Sequence, residues 1–385
     1  MPLKPTKKST TMTYKRLRII ISGGGTGGHI FPAISIADKL REVNPDNEIL
    51  FVGAEGKMEM EKVPVAGYRI EGLPVVGLQR QLNLRNLWND VQVPFRVAAS
   101  LRKAGRLLDE FRPDIAIGVG GYASAPLLWK ATAKHIPALI QEQNGFAGLT
   151  NKLLAKRVGC ICVAYEGMER FFPADKIVFS GNPIRADIHP YTPEEKAAGI
   201  RFYGLAPDRR YLLVVGGSLG SGTLNRAMCG WIEAGCPGGD DVEVLWQCGR
   251  YYKKEMDAFM AAHPRANIHH TDFIGRMDLA YALADVVVSR SGASSISELC
   301  AAHKAAIFVP SPNVAEDHQT HNAMALVRHD AAVMVRDAEA GEKLLGEATA
   351  LLHDPQRIAA MERNIAPLAR MDAAQTIVDE VYKLV

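Results

Sequence analysis

An apolar, β-branched run that empties into a glycine-rich turn constrains this chain more than any other stretch: Ile19-Ile20-Ile21-Ser22-Gly23-Gly24-Gly25-Thr26-Gly27-Gly28-His29. The apolar spacing from Ile30 to Leu40 is helical, so the turn sits at a strand-to-helix junction. Five glycines in six residues let the backbone approach a phosphate closely. The helix start adds unpaired N–H groups and the positive end of its dipole. His29 sets a titratable imidazole at the rim, a base near neutral pH for a substrate hydroxyl. Gly23, Gly25 and Gly28 also satisfy G-x-G-x-x-G, with Glu55 after the next apparent strand, Ile49 to Val52. A dinucleotide site and a tight turn without a ligand therefore stay open at this point.

At 385 residues the chain has the length of two domains of roughly 150 residues each. It is 48% hydrophobic and 23% charged, and a formal net charge of +3 is too small to argue for nucleic acid. Six cysteines without a C-x-x-C pair read as reduced core thiols of a cytoplasmic protein. The basic N-terminus lacks a secretory apolar segment and is expected to be a flexible tail over residues 1–15. No apolar run approaches the roughly 20 residues of a membrane-spanning helix, so membrane contact is expected to be peripheral.

Further along, Gly77 to Phe111 mixes large apolar and basic residues on a mostly helical stretch. Within it Arg80, Leu82, Leu84, Arg85, Leu87 and Trp88 suit an anionic bilayer surface, and a core-facing helix with solvated cations would read the same way. Asp114 to Val119 is a buried-type strand running into a second glycine turn, Gly120-Gly121-Tyr122, and Pro137 to Gln141 is another, ending in Glu142-Gln143-Asn144-Gly145. Strands at Val158 to Ala164 and Ile177 to Ser180 complete the first half, and the polar, proline-bearing stretch to Pro207 reads as an interdomain connection. The architecture restarts at Tyr211 to Val215, followed by Gly216-Gly217-Ser218-Leu219-Gly220-Ser221-Gly222. Alternating strands and helices in both halves predict two doubly wound parallel sheets facing each other across a cleft. In the second half, Ser289 to Glu298 ends a strand and opens a helix with small hydroxyl residues, a site for pyrophosphate with Glu298 placed for a ribose diol, or else an N-cap series. Gln319 and Asn322 share a face of the next helix.

Seven motifs in order, GGGTGGHIFPA, GVGGYASAP, EQNGFAGLTN, GNPIR, VVGGSLGSGTLN, SRSGASSISEL and AEDHQTHNA, resemble the MurG family of peptidoglycan glycosyltransferases, in glycosyltransferase family 28, from about Arg18 to the end of the chain. The resemblance implies an α/β GT-B fold of two Rossmann-like domains: an acceptor and membrane-associating domain over 16–184, a UDP-sugar donor domain over 185–366, and a final helix, 367–385, packing back towards the first. It implies transfer of N-acetylglucosamine from UDP-N-acetylglucosamine to lipid I, forming lipid II at the cytoplasmic face of the bacterial membrane. Cell-wall synthesis and division proteins are implied partners. No cofactor and no catalytic metal are implied; His318 and His321 beside Asp317 fit a sugar-binding helix as well as a metal.

Position by position, the resemblance gives Thr26, Gly27 and Gly28 to the first donor-binding loop and makes His29 the candidate general base, with Glu142 as substitute. Asn144, Arg185 and Ser218 match donor-contacting residues, and Ile274 matches the residue whose backbone reads uracil. Ala293, Ser294, Ser295, Ile296, Ser297 and Glu298 match the helix start around diphosphate, ribose and sugar, with Gln319 and Asn322 as sugar-reading amides. Two positions depart from the pattern: Leu219 stands where the family usually has glutamine, and Ser295 where it has threonine. The competing expectations are another GT-B enzyme, such as a nucleotide-sugar 2-epimerase or a transferase to another lipid acceptor, an NAD-dependent oxidoreductase, and a non-catalytic membrane scaffold.

Overall fold

The structure is a computed structural model that describes residues 14–75, 84–185, 187–217, 219–314 and 317–385, with 84–94 described as backbone alone. The first half alternates β1 (Arg18–Ser22), α1 (Gly27–Val43), β2 (Glu48–Ala54), α2 (Glu59–Val65), β3 (Arg69–Leu73), α3 (Leu84–Phe111), β4 (Ile115–Gly118), α4 (Ser124–Ala133), β5 (Ala138–Glu142), α5 (Leu149–Leu154), β6 (Cys160–Val163) and β7 (Ile177–Phe179). Its strands form one parallel sheet in the order β3-β2-β1-β4-β5-β6-β7. The apolar run of β1 is buried on both sides because successive side chains point to opposite faces. Ile19 and Ile21 pack with Ile30, Ile36 and Leu40 of α1, whereas Ile20 packs with Leu127 and Leu128 of α4.

The second half runs α6 (Pro193–Tyr203), β8 (Arg210–Val215), α7 (Gly222–Glu233), β9 (Val242–Gln247), α8 (Lys253–Ala262), β10 (Ile268–Thr271), α9 (Met277–Leu283), β11 (Val286–Ser289), α10 (Ala293–Ala301), β12 (Ala305–Phe308), α11 (His318–Val327), β13 (Val333–Met334), α12 (Ala340–Leu352), α13 (Pro355–Ile365) and α14 (Ala373–Lys383). Its sheet is also parallel, in the order β10-β9-β8-β11-β12-β13. The expected pair of doubly wound sheets is thus present. In each sheet the chain reverses direction of travel beside its first strand, between β1 and β4 and between β8 and β11, and ligands of such sheets bind outside the carboxyl ends at that point.

One stretch differs from its reading as a connection. Residues 193–203 form α6, capped by a reciprocal box between Thr192 and Glu195. A Cβ on Gly199 would lie 2.4 Å from the Leu279 carbonyl oxygen, so this glycine lets α6 sit directly on α9.

Residues 1–13 of the expected tail lie outside the described residues. Tyr14 and Lys15 are docked: the Tyr14 hydroxyl donates to Asp379 at 2.7 Å, its ring meets Tyr382 edge-on at 4.9 Å, and Lys15 Nζ donates to the Val385 carbonyl. Here α14 packs on α1, with Ile377, Val378 and Val381 buried in the core of the first sheet. Among the described residues no helix is long and apolar enough to cross a membrane.

Candidate active site

His29 lies in the first turn of α1, partly buried. Thr26 is the N-cap residue, and its hydroxyl meets His29 Nδ1 at 3.1 Å instead of capping the helix. Gly120 makes room for the ring: at φ +94° it is in the region that favours glycine, and a Cβ there would fall 2.3 Å from Cδ2 and 2.5 Å from Nε2 of His29. Ser124 fixes that second turn by donating to the carbonyls of Ser22 and Gly120, at 2.9 and 2.8 Å. Burial pushes the His29 pKa down to about 4; the charge of Glu59 opposes this and that of His318 adds to it. The imidazole is therefore neutral at pH 7 and able to take a proton.

Beneath the same loop sits a residue that sequence reasoning missed. Glu59, the first residue of α2, is fully buried, and its carboxylate accepts the Gly25 N–H at 2.8 Å and the Ala54 N–H at 2.9 Å. Glu55, the ribose candidate of the dinucleotide reading, instead pairs with Lys103 on α3 at 2.9 Å. A pyrophosphate at the Gly25 amide would meet an internal carboxylate already in place.

Glu142 ends β5 and is 2% exposed. It accepts from the Asn144 N–H, the Asn144 amide, the Gly148 N–H and the Asn151 amide, at 3.1, 3.3, 3.0 and 2.9 Å. Burial raises its pKa and these donors pull it back. With both oxygens so occupied, Glu142 holds the turn in shape and is poorly placed to take a substrate proton. The turn reaches the second domain through Gly145, whose N–H donates to Asn322 Oδ1 at 3.0 Å, and through the Phe146 ring, stacked on His321 at 6.0 Å.

Across the cleft, α10 packs against α1. The run 289–298 is pinned by Arg290, tied to Asp337 and to the carbonyls of Val309 and Pro310. The Ser291 hydroxyl, in the turn before α10, and the Ser294 hydroxyl, in its first turn, are buried without a hydrogen-bond partner, an expensive state for a polar group. Ala293, Ser294, Ser295 and Ser297 form the first turns with them, and Ser297 receives the Asn182 amide of the first domain at 3.1 Å. The Ile296 side chain packs into the core beneath, and its N–H donates to the Gly292 carbonyl at 3.0 Å.

Glu298 accepts the Tyr281 hydroxyl at 3.0 Å and pairs with Arg185 at 3.6 Å; burial raises its pKa, and Arg185 counters that. Arg185 Nε and Nη2 are buried without hydrogen bonds. Gln319 accepts the Ser311 N–H at 2.8 Å, and Ile274 donates its N–H to Gln247 at 3.4 Å. Ser218 lies outside the described residues, and its neighbour Leu219 is 67% exposed.

Of the expected membrane patch, Arg80 and Leu82 lie outside the described residues, and for Leu84, Arg85, Leu87 and Trp88 only the helical backbone of α3 is described. Beside it, Phe95, Tyr122, Trp129, Leu149 and Leu153 are exposed apolar side chains, and Tyr122 and Trp129 line a groove of about 350 Å³ with Arg96. Arg157 lies over the Trp129 ring at 3.7 Å.

The model of the glycosyltransferase family 28 N-terminal domain matches residues 19–163, and that of the C-terminal domain matches residues 211–377. The UDP-N-acetylglucosamine–N-acetylmuramyl-(pentapeptide) pyrophosphoryl-undecaprenol N-acetylglucosamine transferase of Parabacteroides distasonis is 54% identical over 371 residues, 96% of this chain and 99% of that protein. The crystal structure of Acinetobacter baumannii MurG is similar with a TM-score of 0.74 at 27% identity, covering 95% of this chain and 99% of that one. A UDP-N-acetylglucosamine 2-epimerase shares the fold alone, with a TM-score of 0.65 at 14% identity over 95% of each chain.

Proposed function

This chain belongs to glycosyltransferase family 28 and is an N-acetylglucosamine transferase that makes lipid II; we propose that it does so by one inverting displacement in the cleft between α1 and α10. The muramoyl 4-hydroxyl of lipid I attacks the anomeric carbon of UDP-N-acetylglucosamine as His29 takes its proton, and UDP leaves with the bond electrons. The observation that carries this reading is the pair of buried, unpartnered hydroxyls of Ser291, in the turn before α10, and Ser294, in its first turn, at the start of the helix that packs against the one bearing His29. A diphosphate there would satisfy both hydroxyls and sit at the positive end of the helix.

Glu298 receives the ribose hydroxyls, and Arg185 beside it, ion-paired with Glu298 and Asp187 but with Nε and Nη2 making no hydrogen bond, offers N–H donors to the leaving nucleotide. Ile274 frames the uracil through its backbone, and Gln319, Asn322 and Asn144 read the sugar; the role of Ser218 at the diphosphate rests on the family resemblance of its loop alone. His29 is the base in preference to Glu142, whose oxygens are committed to the turn.

The protein works as a peripheral membrane enzyme at the anionic cytoplasmic face, where the apolar side chains flanking the groove between α3 and α4 meet the lipid and the undecaprenyl chain of the acceptor. The test is calorimetric binding of UDP-N-acetylglucosamine, with UDP-glucose and NADH as comparators, to wild type and Glu298→Ala. Selective binding lost in the variant is expected; binding of NADH, indifferent to Glu298, would sink the reading. Turnover of lipid I by His29→Ala at the wild-type rate would remove His29 as the base.

A further inference from the structure

The carboxylate of Glu59 has no ion-pair partner among the described residues, only two backbone N–H donors, and it is wholly withdrawn from solvent. Such a group is costly to bury, and the fold is shaped to hold it. A Cβ on Gly24 would lie 2.2 Å from Oε1, and one on Gly53 would lie 2.5 Å from Cγ. Both glycines therefore open the space that the carboxylate fills. From there the contacts run on without slack: a Cβ on Gly121 would lie 2.4 Å from the Gly24 carbonyl oxygen, and Gly120 is the seat of the His29 ring. The position of the imidazole is thus fixed through Gly24 and the second glycine turn to the carboxylate on α2.

We propose that Glu59 is a positioning residue for the transfer reaction: a built-in anion in the first glycine loop that fixes the seat of His29 and stabilises the imidazolium formed when His29 takes the acceptor proton. This rests on the reading of His29 as the base. The charged groups that bear on His29 are Glu59, from α2, and His318, from the start of α11; they act in opposite senses, and of the two Glu59 is the anion. A fixed negative charge near a base that becomes cationic in the transition state lowers the barrier without touching substrate.

The experiment compares wild type, Glu59→Asp, Glu59→Gln, His29→Ala and the double variant Glu59→Gln/His29→Ala in lipid I turnover, with UDP-N-acetylglucosamine affinity measured calorimetrically on each. Glu59→Gln is expected to lower kcat about tenfold or more while donor affinity stays within about twofold, because the nucleotide-binding residues proposed lie on the other domain. Glu59→Asp, which keeps the charge, is expected to recover part of that loss. The double variant is expected to be no slower than His29→Ala, since Glu59 acts through His29. Losses that multiply, or a Glu59→Gln enzyme as fast as wild type beside an inactive His29→Ala, would overturn the proposal and leave the base in place. A fully active His29→Ala would instead overturn the base. Equal losses for Glu59→Asp and Glu59→Gln, with donor affinity and melting temperature falling together, would mark Glu59 as structural only and also overturn the proposal.

Discussion

Asn322 and Gly145 meet across the cleft: the Gly145 N–H donates to Asn322 Oδ1 at 3.0 Å, and the same amide reaches Asn144 Oδ1 at 3.3 Å and the Ser291 carbonyl at 3.5 Å. Asn322 is completely buried. One side chain thus joins the end of β5 in the first domain to the turn before α10 in the second. The position assigned to sugar recognition is also a tie between domains, and a bound sugar has to share or displace those bonds.

Asn322→Ala leaves the Gly145 N–H without its partner, at a cost of about 1–3 kcal/mol for a buried group. Binding of UDP-N-acetylglucosamine is expected to weaken about tenfold or more by calorimetry. Unchanged donor affinity with a lowered melting temperature would make Asn322 a tie between domains and nothing else.

Gly120→Ala is expected to separate chemistry from donor binding. Its φ of +94° strains any side chain by about 1–3 kcal/mol, and the new methyl would overlap the His29 ring. The imidazole has to move, so kcat should fall by about a hundredfold, as a misplaced base loses most of its contribution. UDP-N-acetylglucosamine affinity should change little, because apart from Asn144 the proposed donor contacts come from the second domain and none involves Gly120. A kcat within twofold of wild type would mean that the ring is free to shift without consequence.

The lowered pKa of His29 fixes the sign of a stability effect. In the unfolded chain a histidine binds its proton near pH 6.5, whereas in the folded protein this one binds it only near about 4. Between those values the unfolded state carries the extra proton, so His29 contributes stability above pH 6.5 that is lost as pH falls towards 4. Urea unfolding at pH 7.0 and pH 5.0 should show wild type losing more stability than His29→Gln over that interval. Equal losses would show that the ring titrates normally.

Strands such as β1, β4 and β8 were legible because each is an apolar run that empties into a glycine turn, and their burial needs no other signal. What escaped was decided by contacts distant in sequence. Nothing near Glu59 announces that an acidic residue on a short helix will be buried, since its donors are Gly25, in the first glycine turn, and Ala54, at the end of β2. Glu142 looked like a spare base because the donors that fill its oxygens come together only when the turn closes through Gly148 and Asn151. The Asn144 to Asn322 contact spans 178 residues and depends on how the two domains face each other. The α6 helix was hidden by polar composition and by Gly199, whose purpose is close approach to α9.

The exposed apolar side chains beside the groove between α3 and α4 predict how the enzyme meets lipid. Phe95 is 74% exposed and Trp129 is 42% exposed. Inserting two such rings into the interfacial region is worth about 1.5–3 kcal/mol each when burial is complete, and less for partial insertion. Trp129→Ala with Phe95→Ala is therefore expected to weaken binding to vesicles of phosphatidylglycerol and phosphatidylethanolamine at least tenfold. UDP-N-acetylglucosamine affinity in lipid-free buffer should be unchanged, because neither ring belongs to the second domain. Raising the salt from 0.05 to 0.5 M should weaken wild type and variant by the same factor, since the variant keeps the basic side chains and screening acts on charge alone. Vesicle binding that survives both substitutions and yields to salt would assign the attraction to charge without insertion.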